Sequence, residues 1–120
     1  MAVTIQYMKH CSLVLAREGL DDKDCSTLEQ VLKFASLSRN KTVWVDCEKM
    51  TSLPIATMRL LLSLSSKAEA SGVLLLFYQL TPSVSNMIKK AGIDSVLLIL
   101  SSFSEAYSYC RKKQQQLQKT

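Results

Sequence analysis

Five hydroxyl side chains stand at the predicted starts of two helices, and they are the residues of this sequence best placed to do chemistry. They are Thr51, Ser52 and Thr57 around one helix start, and Thr81 and Ser83 at the next. Helix capping and solvation account for any one of them, since a hydroxyl accepts a hydrogen bond from a free amide at a helix start. Both loops, however, follow predicted parallel strands, whose carboxyl ends meet at one edge of a sheet. We therefore expect these hydroxyls to converge on one surface.

Three acids, Asp21, Asp22 and Asp24, form the one cluster that could bind a metal ion. Turn formation and favourable charge just before a helix N-terminus explain them better. The four cysteines, Cys11, Cys25, Cys47 and Cys110, contain no C-x-x-C pair, and the sole histidine, His10, lies beside only one of them. These spacings do not match a zinc site, and they indicate reduced, largely buried thiols. A His10–Cys11 nucleophile pair is disfavoured because neighbours on a strand point to opposite faces.

Catalytic motifs are missing from the sequence. It contains neither G-x-x-x-x-G-K-[ST] nor G-x-G-x-x-G, and its three glycines cannot build either phosphate-binding loop. One histidine near the start makes a Ser-His-Asp arrangement hard to assemble. We therefore predict a protein that is not an enzyme and that uses no cofactor and no metal.

Apolar periodicity places the elements that position these residues. Residues 3–8 and 12–17 alternate as a hairpin with one buried face. A capping box at residues 26–29 predicts a helix that ends near Leu37, and residues 42–46 form a fully buried strand. After a loop at residues 47–53, a second helix starts near Pro54, with Ser52 or Leu53 as its cap.

The second half of the chain repeats the alternation. Residues 73–78 form the most apolar strand and the predicted centre of the sheet, and Thr81 with Pro82 begins a helix that ends at Gly92. A short strand at residues 96–100 precedes a capping box at residues 102–105. The last helix is expected to bury Phe103, Ala106, Tyr107 and Cys110. The order β-β-α-β-α-β-α-β-α predicts an α/β fold with one mixed, mostly parallel sheet of about five strands, an N-terminal hairpin and about four helices.

Composition and charge limit the partners. The chain of 120 residues is 48% hydrophobic and 21% charged, which is ordinary for a single globular domain. Of the net charge of +5, four charges fall in the last ten residues, on Arg111, Lys112, Lys113 and Lys119. This predicts a domain at residues 1–110 and a basic polar tail at residues 111–120, expected to fray into solvent, rather than a nucleic-acid interface. No apolar run approaches the ~20 residues of a membrane span, and the N-terminus lacks signal-peptide features, so we predict a cytoplasmic location.

With that order of elements, the chain resembles the STAS domain family, typified by bacterial anti-sigma-factor antagonists, over about residues 3–109. The family pattern is a hydrophobic strand ending in Asp, a loop, a D-S-[ST]-G segment, a leucine-rich helix, Gly before a central strand, S-P-x-V and a G-[LI]-[DE] turn. The matching parts are VWVD (43–46), the loop 47–53, MRLLLSL (58–64), SGVLLLFY (71–78), TPSV (81–84) and AGID (91–94), and EGLD (18–21) is similar to an upstream G-x-[LV]-D turn.

The resemblance implies a module that binds a regulatory protein, commonly a kinase-like anti-sigma factor, through the loop and start of the second helix. In the family, phosphorylation of the serine in D-S-[ST]-G releases the partner, since a phosphate adds about −1.5 to −2 charges to the interface. Here Pro54, Ile55, Ala56 and Thr57 fill those four positions, so the familiar serine is absent. Thr57 and Ser52 are the candidate substitute phosphoacceptors.

We therefore expect a non-enzymatic, transcription-regulating interaction module of bacterial type, either a monomer or a weak dimer. Two alternatives stay open: a STAS-type sensor of a nucleotide or lipid, and an accessory subunit of a lipid-transport ATPase. The predicted partner-binding residues are Asp21, Thr51, Ser52, Pro54, Ile55, Ala56, Thr57, Thr81 and Ser83.

Overall fold

The computed structural model describes residues 3–7, 11–18, 20–39 and 41–118, without the side chains of Val3 and residues 113–118. In these ranges the chain forms five strands and four helices in the predicted order. They are β1 (Val3–Tyr7), β2 (Ser12–Glu18), α1 (Asp22–Leu37), β3 (Thr42–Met50), α2 (Ile55–Ala70), β4 (Leu74–Tyr78), α3 (Pro82–Lys90), β5 (Ile99–Leu100) and α4 (Phe103–Gln118). None of the described helices is long and apolar enough to cross a membrane.

The strands form one mixed sheet in the order β1-β2-β3-β4-β5, which confirms the predicted fold class and hairpin. β1 pairs antiparallel with β2, and the remaining neighbours are parallel. The prediction that the strand at residues 73–78 lies at the centre is wrong, because β3 occupies the middle position. A continuous run of apolar residues indicates a strand that is covered on both faces, and both β3 and β4 have such a run. Apolarity therefore cannot show which of these two strands is central.

The sheet has helices on both faces. Helices α1, α2 and α3 cover one face and share the larger core with it, including Leu28, Val45 and Leu61, each at most 2% exposed. Helix α4 covers the opposite face over a smaller core that contains Trp44 and Ala106. This arrangement leaves the carboxyl ends of the parallel strands, and the loops that follow them, at one edge of the molecule.

Helix α1 begins earlier than the sequence predicted. Asp21 is the N-cap: its carboxylate accepts from the Asp24 amide at 2.8 Å, and the Asp24 carboxylate accepts from the Asp21 amide at 3.0 Å. The predicted capping box at residues 26–29 is wrong, because these residues lie inside the helix. Both stretches fit the capping pattern, and Glu29 instead forms an ion pair of 3.0 Å with Lys67 of α2.

Strand β3 runs to Met50 rather than ending at Asp46, so most of the predicted loop at residues 47–53 is strand. Leu15 pairs with Asp46 and Arg17 pairs with Lys49, so three steps along β3 oppose two along β2. This is a β-bulge, which bends a strand and leaves an amide outside the ladder. The Asp46 carboxylate accepts from the Glu48 amide at 3.0 Å, which stabilises the bulge.

The C-terminal part differs from prediction in exposure. Strand β5 is two residues long, shorter than the predicted strand at residues 96–100. Phe103 and Tyr107 are 46% and 48% exposed rather than buried, whereas Ala106 is fully buried. The Phe103 ring lies at the rim of the smaller core, 5.1 Å from the Trp44 ring centroid. A single helix on this face buries only its narrow central stripe, so the large side chains on its flanks stay half in solvent.

The predicted capping box of α4 is half formed. The helix also continues beyond residue 110, where the domain was predicted to end. The Ser102 hydroxyl accepts from the Glu105 amide at 3.2 Å, as predicted, but the Glu105 carboxylate accepts from the Ser101 hydroxyl instead of closing the box. The backbone of residues 111–118 continues α4.

Candidate functional site

Three loops at the carboxyl ends of β2, β3 and β4 are joined by hydrogen bonds, and we call them together the carboxyl edge. The Thr57 hydroxyl donates to the Leu20 carbonyl at 2.8 Å, and the Thr51 hydroxyl donates to the Glu18 carbonyl at 2.9 Å. The Thr81 hydroxyl makes a longer bond of 3.4 Å to the Met50 carbonyl. The structure therefore brings together loops that are more than 30 residues apart in the sequence.

Glu18 is the main junction of this edge, and sequence reasoning missed it. Its carbonyl accepts from the Thr51 amide at 2.6 Å, from the Thr51 hydroxyl, and from the Ser52 amide at 3.2 Å. Its φ of +50° is in the left-handed region, and Gln79, which follows β4, has a φ of +58°. For residues other than glycine this conformation costs about 1–2 kcal/mol, so surrounding bonds must compensate for it. No pattern in the sequence signals a glutamate in that conformation.

Helix α2 begins without a side-chain cap. The sequence predicted Pro54 in the first turn of the helix. In the structure Pro54 is instead the N-cap residue, with φ −61° and ψ 153°, and α2 begins at Ile55. Neither predicted cap performs that role: Leu53 is buried in the core, and Ser52 lies two positions before the N-cap. Burial of Leu53 anchors the loop and sets this register. The first-turn amides of α2 therefore have no side-chain acceptor, which leaves them directed at the carboxyl edge.

The residues at the tip of this edge are apolar and exposed. Pro54 and Ala56 are both exposed, and Ile55 between them is 67% exposed. Isoleucine is among the residue types most often buried in proteins. Thr57, one position further, is only 4% exposed. Residues 54–57, which the resemblance aligns with D-S-[ST]-G, thus divide into an exposed apolar tip and one buried hydroxyl.

The predicted hydroxyl residues have different environments. Thr51, Thr57 and Thr81 each donate to a backbone carbonyl, and Thr81 also caps α3 by accepting from the Val84 amide at 3.3 Å. Ser52 is exposed beside the tip, and Ser83 is exposed in the first turn of α3. Of the two candidate phosphoacceptors, Ser52 is therefore accessible, whereas Thr57 is not accessible in this conformation.

Asp21 lies at the side of the carboxyl edge, next in sequence to Leu20. The hydrogen bond from the Asp24 amide is the main reason that the pKa of the Asp21 carboxyl is lowered, and the nearby Lys23 contributes. The group is exposed and charged at neutral pH. Its capping bond explains its presence, and its charge makes this flank of the edge acidic.

Asp46, in the middle of β3, and Tyr78, at the end of β4, lie side by side in the sheet. The two residues are paired in the register of β3 and β4, which brings the carboxyl group of Asp46 near the phenol of Tyr78. Burial, followed by the charge of Asp46, raises the pKa of Tyr78. A cavity of about 210 Å³ lies beside Asp46 and is lined by Leu15, Ala16, Arg17, Asp46, Glu48 and Lys49. Its mixed charges select no ligand class.

The thiols show no sign of activation. Burial raises the pKa of Cys11 and Cys25 to about 11 and that of Cys47 to about 12. All four cysteines are free thiols, and Cys110 is half-buried. In the described ranges, no group of three or more His, Cys, Asp or Glu side chains could hold a metal ion. His10, the other member of the candidate nucleophile pair, lies outside the described residues.

Comparison with solved structures identifies the fold. A putative anti-sigma factor antagonist from Thermotoga maritima has a TM-score of 0.75 at 11% identity, with 91% of this chain and 94% of that chain covered. A variant of RsbS from Moorella thermoacetica has a TM-score of 0.76 at 16% identity, with 96% and 99% covered. Murine Solute Carrier 26 family member A9, an anion transporter, has a TM-score of 0.68 at 16% identity, with 89% of this chain but 18% of the transporter covered.

The fold is therefore that of the STAS domain and of anti-sigma-factor antagonists, as the sequence resemblance predicted. No protein-family model and no curated protein matches the sequence. The likeness covers nearly the whole chain at low identity, and it concerns the fold.

Proposed function

We propose that this chain is a non-enzymatic, cytoplasmic interaction module that binds a regulatory protein through the carboxyl edge. The observation that carries the proposal is the exposed side chain of Ile55, 67% exposed at the uncapped start of α2. Burying an isoleucine side chain in an interface contributes about 1.5–3 kcal/mol, the size of a typical binding anchor. A partner that covers Ile55 can also hydrogen-bond to the free first-turn amides.

The rigidity of the edge supports the same proposal. Hydrogen bonds from Thr51, Thr57 and Thr81 hold the three loops against one another. Ordering mobile loops on binding costs free energy, so loops that are already fixed can use more of their contact energy for affinity. The structural neighbours described as anti-sigma factor antagonists favour a regulatory protein as the partner. By that analogy the partner is a kinase-like anti-sigma factor.

We propose Ser52 as the site of regulation by phosphate. Ile55 lies where the family resemblance places the phosphorylated serine, and isoleucine cannot carry a phosphate. Ser52 is exposed three positions before it, whereas the Thr57 hydroxyl is buried and hydrogen-bonded. A phosphate on Ser52 would put negative charge next to the apolar tip, which an interface would have to desolvate.

Protein binding is favoured over the two alternatives, an anionic nucleotide or lipid sensor and a lipid-transporter subunit. None of the nine predicted partner-binding residues carries a positive charge, and one of them, Asp21, carries a negative charge. An anion would therefore be held by backbone amides alone against an acidic flank. A thermal-shift screen with nucleotides and acidic lipids tests this comparison, and a clear shift with either would favour a sensor.

The central experiment uses the chain as bait for partner capture from cells that express it naturally. We expect Ile55→Arg to lose the partner, because a buried arginine without a counter-charge is strongly unfavourable. Val96→Arg is the matched control, since Val96 is 63% exposed and precedes β5, at the opposite ends of the strands. Normal capture by Ile55→Arg, with unchanged melting, would overturn the proposed function.

A further inference from the structure

Strand β1 lies at the edge of the sheet. Among the described residues, β2 is its only neighbour, and all five residues of β1 pair with it. The opposite side of β1 therefore presents backbone N–H and C=O groups to its surroundings. Such a row of groups is a template for another strand.

The sequence of β1 lacks the features that usually protect an edge. Its five residues, VTIQY, include no charged side chain and no proline. Natural edge strands are commonly blunted by lysine, proline, a bulge or a covering element. The strand also alternates cleanly, with polar Thr4 and Gln6 between apolar positions. An uncharged, alternating edge favours pairing.

Two exposed aromatic rings and a groove adjoin this edge on the helix-covered face. The rings of Tyr7 and Phe34 pack with centroids 5.0 Å apart, yet they remain 61% and 55% exposed. A groove of about 470 Å³ runs between β1 and α1, and Ile5, Gln30 and Val31 also line it. A strand added to β1 would cover this groove with alternate side chains.

We propose that the occupant is β1 of a second copy of this chain, paired antiparallel about a two-fold axis through Ile5. In that register, Thr4 of one copy lies opposite Gln6 of the other, and Val3 lies opposite Tyr7. The alternation of VTIQY reads the same in both directions, so polar positions meet polar ones and apolar positions meet apolar ones. The two sheets then join into one continuous sheet of ten strands.

Charge also favours a second copy. Although the whole chain carries +5, the β1 strand is neutral, so two copies can pair without like charges facing one another. The interface is short, at five residues per strand. It falls in the small, transient class, so we expect a weak association that is detected only at high protein concentration.

Sedimentation velocity on the full chain, from about 1 µM to about 500 µM, measures this equilibrium over the range expected for a small interface. T4K/Q6K places lysines opposite each other in the dimer and should make the chain monomeric throughout. T4K/Q6E is the matched variant: it places lysine opposite glutamate and should dimerise at least as well as the wild type. Thr4 and Gln6 are both exposed, so both variants should fold, which thermal melting checks.

Three results would overturn the proposal: a wild type that is monomeric at every concentration, dimerisation unchanged by T4K/Q6K, or a monomeric T4K/Q6E. Hydrogen exchange of the wild type gives an independent reading without any substitution. Amides of β1 should exchange more slowly as protein concentration rises, whereas amides of the first turn of α2 should not. Exchange in β1 that is independent of concentration would also overturn the pairing.

Discussion

The hydroxyl of Thr57 donates a hydrogen bond of 2.8 Å to the backbone carbonyl of Leu20, 37 positions earlier in the chain. Both residues are buried, so the bond lies out of water. It attaches the first turn of α2 to the loop that precedes α1. Thr57 is therefore a structural support for the carboxyl edge, and its neighbours Ile55 and Ala56 are the part that faces outward.

Replacing Thr57 tests this support. Thr57→Val keeps the shape but leaves the buried Leu20 carbonyl without its donor, which should lower the free energy of unfolding by about 1–3 kcal/mol. Thr57→Ser keeps the hydroxyl and should lose about 1 kcal/mol or less through its missing methyl group. Urea denaturation of both variants gives the comparison. Equal stability of Thr57→Val and the wild type would show that the bond contributes nothing.

Asp21 should make the stability of the chain depend on acid. Its pKa in the folded state is below the ordinary value of 3.8, so its contribution is fully present above that pH and is lost as the pH falls through the folded value. Asp21→Ala should melt below the wild type at neutral pH, and the two should converge under strong acid. Asp21→Asn keeps the cap but not the charge, so it should melt between Asp21→Ala and the wild type at neutral pH. Melting curves across the acidic range measure this, and a constant difference between wild type and Asp21→Ala would contradict it.

Tyr78 should destabilise the folded chain at high pH. Its phenol, 2% exposed and beside Asp46, has a pKa raised above the ordinary value of 10.0. A raised folded pKa means that its stabilising effect is complete below 10 and is lost as the pH rises beyond it. Tyr78→Phe should cost about 1 kcal/mol or less near neutrality, since it removes one polar group and keeps the ring. The Tyr78→Phe variant should lose less stability than the wild type between neutral and strongly alkaline pH. Urea denaturation measures this, and equal decreases of the two urea midpoints would contradict the raised pKa of Tyr78.

The four thiols should differ in reactivity. Cys110 is half-buried on α4, whereas Cys11, Cys25 and Cys47 are at most 6% exposed. We expect a short pulse of iodoacetamide on the folded chain to modify Cys110 first, with the other three protected until unfolding. Mass spectrometry after digestion locates the label, and Cys110→Ser should remove the fast phase. Rapid labelling of Cys47 in the folded chain would be inconsistent with its burial.

Local patterns in the sequence were sufficient to predict the order of elements. Helical stripes, the alternation of the hairpin and the start of α3 at Thr81 and Pro82 each depend on neighbours within a few residues, which the sequence shows directly. The prediction failed where a longer-range interaction decides the structure. The bulge that extends β3 to Met50 depends on pairing with β2, and the N-cap of α1 was one of two stretches with the same local pattern.

For the candidate site too, the general location was predictable from the sequence, whereas the details that depend on long-range contacts were not. Topology alone predicted that the loops after β3 and β4 meet at one edge, because parallel strands end on the same side. It could not predict which hydroxyl is buried there. The Thr57 hydroxyl is hydrogen-bonded to the Leu20 carbonyl and the Thr51 hydroxyl to the Glu18 carbonyl. Both acceptors lie more than 30 residues away in the sequence. The resemblance placed Ile55 at the expected partner surface, whereas the buried Leu53 that anchors the loop beneath it is seen only in the structure.

The three bonds that hold the carboxyl edge join residues 33, 37 and 31 positions apart. Contacts of such separation form only after the loops between them have closed, so the edge is completed when β2, β3 and β4 have assembled. A truncated chain, or one still being synthesised, would expose Ile55 without the surface around it. The edge is therefore complete only in a chain that has assembled β2, β3 and β4, and a partner that recognises it would ignore copies that lack them.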